Sequence, residues 1–178
     1  MKTWLATALL VGLPCFAQDK SPDAMRASMH SKQEISELLS KAEEKISGFE
    51  QAMKTVKPAV DAIDSSLIPK ALDGASTAHS IISALQKNGP SGYSLVLLVT
   101  TLDDLNSNAF RSALLLASTD RDRVVTGGRP DGNLPGQVVS LIGAGNACND
   151  ISELIMHATL RYLSVEEAVL GQLLDGKK

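Results

Sequence analysis

A heptad spacing of apolar residues is the feature that most constrains the fold of this 178-residue chain. From residue 35 onward, seven apolar positions follow one another at intervals of 4, 3, 4, 3, 4 and 3 residues. They are Ile35, Leu39, Ala42, Ile46, Phe49, Met53 and Val56. This spacing predicts an α-helix with one apolar seam over about three heptads. Ser21-Pro22-Asp23 has the residue types favoured at a helix start, so we expect the helix to begin there.

Two further stretches keep helical spacing. The second runs from Pro58 to about Lys87, and we expect Pro69 to kink or divide it, because proline removes a backbone donor and crowds the preceding turn. The third runs from Ser91 to Ser118. Its SLVLLVTTL segment has the composition of a buried strand, but the helical spacing continues through it and no partner strand is evident. The short connections near residues 56–58 and 87–91 predict antiparallel neighbours.

Residues 138–157, VVSLIGAGNACNDISELIMH, permit two interpretations. As a strand entering G-x-G-x-x-C they imitate a dinucleotide-binding turn, with Glu166 placed as a ribose-binding acid. As a helix they carry one seam that continues to Leu173 at intervals of 3 and 4 residues. The chain lacks the alternation of strands and helices that a dinucleotide-binding fold needs, so we expect a helix. Gly143 and Gly145 then mark a place where another backbone can approach, and Ser164 a possible break.

The same segment contains a cysteine, two acids and a histidine that resemble a catalytic or metal site. At about 100° per residue, Cys148 falls on the apolar seam, whereas Asp150, Glu153 and His157 fall on the opposite side of the helix. We therefore expect Cys148 to be a small buried hydrophobe rather than a nucleophile. The three polar residues are expected to form a solvated face, and we predict neither a metal site nor a cofactor.

Residues 119–136, TDRDRVVTGGRPDGNLPG, are rich in glycine, proline and aspartate and predict a long loop before the last helix. Binding residues are often placed on such loops. Guanidinium groups suit carboxylate or phosphate partners, so the candidate partner-binding residues are Arg121, Arg123, Arg129 and Asp131. The alternative is a flexible, solvated connector.

The first residues, MKTWLATALLVGLPCFAQ, have the pattern of a secretion signal. Lys2 is a minimal basic region, an apolar stretch from Trp4 to Leu13 follows, and the small residues at Cys15 and Ala17 match a cleavage site. We expect cleavage after Ala17 and export to a periplasmic or extracellular location. Residues 18–178 then form the helical domain, with Cys148 as the one cysteine and no internal disulfide.

Charge and motifs narrow the functional classes. Removing residues 1–17 removes Lys2 and no acid, so the formal net charge changes from −3 to −4, which gives no reason to expect a nucleic-acid partner. No G-x-S-x-G, H-E-x-x-H, C-x-x-C or Walker motif occurs. The sequence therefore predicts an all-α bundle of four main helical segments, exported and non-enzymatic, acting by partner binding or self-assembly. A small-molecule or metal-binding bundle is the alternative, and a nucleotide-binding enzyme built on the glycine motif is a remote one.

Overall fold

The computed structural model describes residues 22–175, and the statements below concern this part of the chain. The interpretation of residues 1–17 as a secretion signal lies outside the described residues. Four helices follow one another without strands between them: α1 (Pro22–Asp61), α2 (Leu67–Asn88), α3 (Gly92–Val125) and α4 (Leu134–Asp175). The predicted all-α bundle of four helical segments is confirmed.

The helices form a closed ring in chain order. α1 packs against α2 and α4, and α3 also packs against α2 and α4, while α1 and α3 touch across the centre. Interhelical contacts show that the neighbours are antiparallel: Ser28 of α1 meets Glu166 of α4, whereas Glu34 meets Arg161. The topology is therefore up-down-up-down, which short connections between neighbouring helices favour.

Aliphatic side chains fill the centre of the ring. All seven heptad residues of α1 are buried, with relative exposures of 3% or less. α2 contributes Ala71, Ala75 and Ala78, whose small side chains let it lie close to its neighbours. Phe49 is the one aromatic residue among the largest fully buried side chains, so aliphatic packing holds the described bundle together.

The first connection differs from the expectation. α1 does not end near residues 56–58 but continues through Pro58 to Asp61, because Val56 and Val60 extend its buried seam. The missing N–H of Pro58 leaves the backbone carbonyl four residues earlier, at the exposed Lys54, free for water. The division expected at Pro69 occurs just before it, at residues 62–66, and Pro69 lies in the first turn of α2, where proline is tolerated.

A side-chain turn closes this first connection. The backbone N–H and the hydroxyl of Ser66 both donate to Oδ1 of Asp64, at 2.9 and 2.7 Å. These hydrogen bonds to the ionised form lower the pKa of the Asp64 carboxyl below its usual range. Asp64 thus orders the chain immediately before α2 begins.

The loop before α4 is also shorter than residues 119–136. α3 continues to Val125, and the connection covers only residues 126–133. α3 ends at a glycine cap, in which Gly127 has φ +87°. The N–H of Gly127 donates to the carbonyl of Val124, and the N–H of Gly128 donates to the carbonyl of Arg123. This pattern is a Schellman motif. Gly127 and Gly128 therefore end the helix rather than loosen a long loop.

Candidate functional site

Two of the arginines predicted to bind a partner lie on α3, and the third lies in the connection to α4. Arg121 and Arg123 lie on the last turns of α3, two residues apart, so their side chains leave the helix about 200° from each other. Arg123 packs its side chain beside Gly128 and lies 4.0 Å from Oδ1 of Asp120. Arg129 is exposed in the connection. A role for these arginines in binding remains a prediction.

Asp131, the fourth predicted residue, orders the connection. Its backbone N–H donates to Oδ1 of Asp120 at 3.0 Å, and its own Oδ1 accepts from the N–H of Asn133 at 3.0 Å. Asp120 therefore ties the connection to α3, and Asp131 shapes the turn that enters α4. A connection held at both ends in this way presents Arg129 from a defined backbone.

The segment that imitated a dinucleotide-binding turn is helical throughout. α4 runs without interruption from Leu134 to Asp175, past Gly145 and Ser164, so the break that the sequence permits at Ser164 does not occur. No strand precedes the glycines, so this segment does not form the strand–turn–helix of a dinucleotide-binding fold. Gly145 instead serves packing, since a Cβ there would come within 2.8 Å of both the Cβ of Ala109 and Oδ1 of Asn106.

The cysteine and the three polar residues of α4 occupy opposite sides, as predicted. Cys148 is fully buried, and burial raises the pKa of its thiol from 9.0 to about 12. Asp150, Glu153 and His157 are exposed, and Glu153 accepts a hydrogen bond from Asn149 at 3.1 Å. Within residues 22–175 no group of three or more His, Cys, Asp or Glu side chains is arranged to hold a metal ion.

The α1 and α4 helices extend past the other two at one end of the bundle. The α2–α3 turn lies at the level of residues 162–163 of α4: the Tyr162 hydroxyl donates to the carbonyl of Pro90, and Leu163 packs against Gly92. Beyond this level α4 has only α1 beside it. Residues 22–33 of α1 and 164–175 of α4 thus form a two-helix projection about 18 Å long at 1.5 Å per residue, here called the distal arm.

The register of the α1 seam can be followed into the distal arm, although the positions one heptad before Ile35 and Leu39 are the polar residues Ser28 and Lys32. Met25 is two heptads before Leu39 and three before Ile46, so the three residues share one face of α1. Leu39 and Ile46 are 3% and 0% exposed, whereas Met25 is 47% exposed. Met29 is 70% exposed and lies two and three heptads before Glu43 and Glu50, on the same face of α1. The carboxylates of Glu43 and Glu50 lie 3.6 and 3.7 Å from the imidazole of His79 on α2. Both methionines therefore lie on faces that other helices contact lower in the bundle.

The α4 side of the distal arm shows the same relationship. Leu163 packs against Gly92, the first residue of α3, and Leu170 follows one heptad later on the same face. Because α3 has not begun at that level, Leu170 is 58% exposed. Leu174, one turn further on, is 68% exposed. The distal arm is thus half of a four-helix layer whose α2 and α3 counterparts are missing.

Polar contacts hold the two helices of the distal arm together. Ser28 donates to Oε1 of Glu166 at 3.1 Å, and Lys32 lies 3.7 Å from the same oxygen. Arg161 pairs with Glu34 at the base. Burial raises the pKa of the Tyr162 hydroxyl, and the negative charge of Glu166 raises it further. No residue of the distal arm was among the binding candidates predicted from the sequence, although the two-heptad interval from Met25 to Leu39 is visible there.

The chain matches no protein-family model, and the comparisons with curated proteins and with solved structures found no match. The class of protein is therefore defined by the fold alone: an all-α, up-down-up-down four-helix bundle with an uncovered two-helix extension. Among the described helices, none combines the length and apolar character needed to cross a membrane.

Proposed function

We propose that this chain is an exported, non-enzymatic helical-bundle protein that functions by assembling with a second copy of itself through the distal arm. The observation that carries the proposal is Met25, which lies two heptads before the buried Leu39 and is 47% exposed. An apolar side chain exposed to water lacks the stabilisation that burial would give, on the order of 1.5–3 kcal/mol for a fully buried side chain. A partner that covers this face of α1 gains the free energy of burying Met25.

A second copy suits the distal arm because it supplies the two helices that the arm lacks. Two arms packed side by side supply four helices, the number that completes a bundle layer. A two-fold axis makes the contact self-complementary, so that the same patch of each protomer meets its equivalent. The exposed apolar residues of both helices would then be covered together; they are Met25, Met29, Leu170 and Leu174.

Charge also favours packing of α1 from one copy against α4 from the other. Lys32 and Glu166 already pair within one protomer, which leaves Arg26 of α1 and Glu167 of α4 as exposed opposite charges for a contact between copies. Opposite charges across an interface favour that pairing over α1 on α1 or α4 on α4. Export rests on the sequence of residues 1–17 and is a separate part of the proposal.

Sedimentation velocity on protein produced from the whole sequence tests self-assembly. The native chain is expected to sediment as a dimer at micromolar concentration, and the double variant Met25→Glu, Leu170→Glu as a monomer, because each new carboxylate would be buried without a partner. Leu114→Glu is the matched control: Leu114 is 69% exposed on α3, outside the distal arm, so this variant should stay dimeric. A native chain that remains monomeric at high micromolar concentration contradicts self-assembly, as does dissociation by the control.

Intact-mass spectrometry tests export. When the whole sequence is expressed in a bacterium with a general secretion pathway, the product outside the cytoplasm is expected to begin at Gln18. Ala17→Leu should prevent cleavage, because a bulky residue replaces the small one at the cleavage site. A product that retains Met1 and stays in the cytoplasm would remove the export part and leave the self-assembly part standing.

A further inference from the structure

A polar groove lies between α2 and α3, on a different interface from the distal arm. Its volume is about 440 Å³ and it opens to solvent. This volume falls within the range of about 300–1,000 Å³ typical of small-molecule sites. The side chains that matter for recognition are Lys70 and Thr77 of α2 and Asp104, Ser107, Asn108 and Arg111 of α3.

Gly74 shapes one wall of this groove. It lines the groove, and a Cβ at this position would lie 3.1 Å from Cδ2 of Leu105 on α3. The two helices are therefore close at Gly74, and the missing side chain leaves the space beside it open. Thr77 lies three residues further along α2 and also lines the groove.

Asn108 is the residue that indicates a ligand. It is only 8% exposed and lines the groove, and its side-chain amide makes no hydrogen bond to any other described residue. Among the described residues, the fully enclosed side-chain atoms without a hydrogen-bond partner are Oδ1 of Asp61 and Oδ1 of Asn106. The Asn108 amide is not one of them, so it is open to the groove that it lines. Buried amides are nearly always hydrogen-bonded. The hydrogen-bond partner of the Asn108 amide is therefore water in the groove or a polar group of a bound ligand.

The charges around Asn108 indicate what kind of ligand would bind. Lys70 and Arg111 form no ion pair with any described residue, and neither does Asp104. Two cations face one carboxylate, so the groove has an excess of positive charge. Lysine and arginine are the side chains that proteins use for carboxylate and phosphate groups, with arginine able to donate two parallel hydrogen bonds.

We propose that the α2–α3 groove binds a small organic anion that carries a carboxylate or phosphate group and at least one hydroxyl or amino group. Lys70 and Arg111 bind the anionic group. Asp104 accepts a hydrogen bond from the hydroxyl or amino group, and the Asn108 amide donates to or accepts from the middle of the ligand. This site is independent of self-assembly, since none of its residues belongs to the distal arm.

Titration of ¹⁵N-labelled protein with three probes, inorganic phosphate, citrate and glycerol 3-phosphate, tests the proposal by NMR. At least one organic probe is expected to shift the side-chain amide signals of Asn108 and the backbone signals of Ser107 and Arg111. Citrate and glycerol 3-phosphate distinguish a carboxylate from a phosphate requirement. Arg111→Gln should raise the dissociation constant about tenfold, the change that corresponds to the loss of one good charged contact.

Matched controls make the result decisive. Asn108→Leu should abolish the shift of Ser107, whereas Asn149→Leu, on α4, should leave it unchanged. Arg26→Gln removes a charge from the distal arm and should not alter the dissociation constant. The proposal is overturned if no probe shifts these signals at millimolar concentration, if inorganic phosphate alone does so, or if Arg26→Gln weakens binding as much as Arg111→Gln. Should Asn108→Leu fail to fold, the Arg111→Gln and Arg26→Gln pair decides the matter.

Discussion

Gly145 and Ala109 bring α4 and α3 into close contact: a Cβ added to Gly145 would lie 2.8 Å from the Cβ of Ala109. The same added atom would lie 2.8 Å from Oδ1 of Asn106, which is itself enclosed and without a hydrogen-bond donor among the described residues. Seven residues along α4, the Ser152 hydroxyl donates to Asp103 of α3 at 2.7 Å. The α3–α4 interface thus combines a close approach of the two helices with polar contacts.

Substitution at Gly145 tests this close approach. Gly145→Ala is expected to lower the free energy of unfolding, because overpacking costs about 1–3 kcal/mol and exceeds the gain of roughly 1 kcal/mol from replacing a helical glycine. Gly143→Ala is the matched control: nothing lies within 4 Å of its added Cβ, so it should stabilise the protein by about 0.5–1 kcal/mol. Urea unfolding of both variants gives the comparison. Equal effects of the same sign would contradict the close approach.

The glycine cap of α3 gives a second prediction. Gly127→Ala should destabilise the protein by about 1–2 kcal/mol, because Gly127 has φ +87° and a Cβ is strained in that conformation. Gly132→Ala lies in the same connection without a positive φ and with open space around its added Cβ, so its effect should be small. Thermal unfolding monitored by circular dichroism measures both. If the two variants unfold at the same temperature, the positive φ of Gly127 is not required for stability and the Schellman motif is contradicted.

The buried thiol makes stability depend on alkaline pH. The pKa of Cys148 is about 12 in the folded protein and about 9 when the chain unfolds, so between these values only the unfolded state ionises. The folded state then holds more protons, and the free energy of unfolding should fall by about 1.4 kcal/mol per pH unit from this group. Below pH 9 the group has no effect on the slope. Urea unfolding as a function of pH measures it.

Cys148→Ala isolates the thiol from other groups that titrate at high pH. The variant should be less stable at neutral pH by on the order of 1 kcal/mol, because it leaves a small cavity. It should also lose the part of the alkaline slope that belongs to Cys148, while Tyr162, whose pKa is also raised, keeps its own. Native protein should react with a thiol reagent far more slowly than unfolded protein. Equal reaction rates would show that the thiol is accessible.

The exposed face of α4 should tolerate change. Replacing Glu153 and His157 together with Ala is expected to shift the free energy of unfolding by no more than about 0.5 kcal/mol, as surface substitutions usually do. Both residues are exposed, and the hydrogen bond from Asn149 to Glu153 lies within one helix. A large loss of stability, or a metal ion released by the substitution and detected by elemental analysis, would contradict a solvated face.

Heptad spacing was sufficient to predict four helices and the burial of Cys148, because one face of a helix is a local property of the sequence. The ends of the helices were harder. The run from Thr119 to Val125 has the composition of a loop, yet it continues α3 until Gly127 ends the helix. Composition alone did not show whether those glycines loosened a loop or capped a helix, since the difference depends on the backbone hydrogen bonds they make.

Periodicity in the sequence by itself determined which residues of each helix could face a core: Leu39 and Ile46 are one heptad apart, and Met25 lies two heptads before Leu39. Only the tertiary structure decided which of those faces are covered. The α2–α3 turn lies beside Tyr162, so α1 and α4 continue alone past it and Met25 remains half exposed. In the same way, only the pairing of α2 with α3 placed Lys70 near Asn108 and Arg111. Burial depends on neighbours from distant parts of the chain, and a helix repeat carries no information about where those neighbours end.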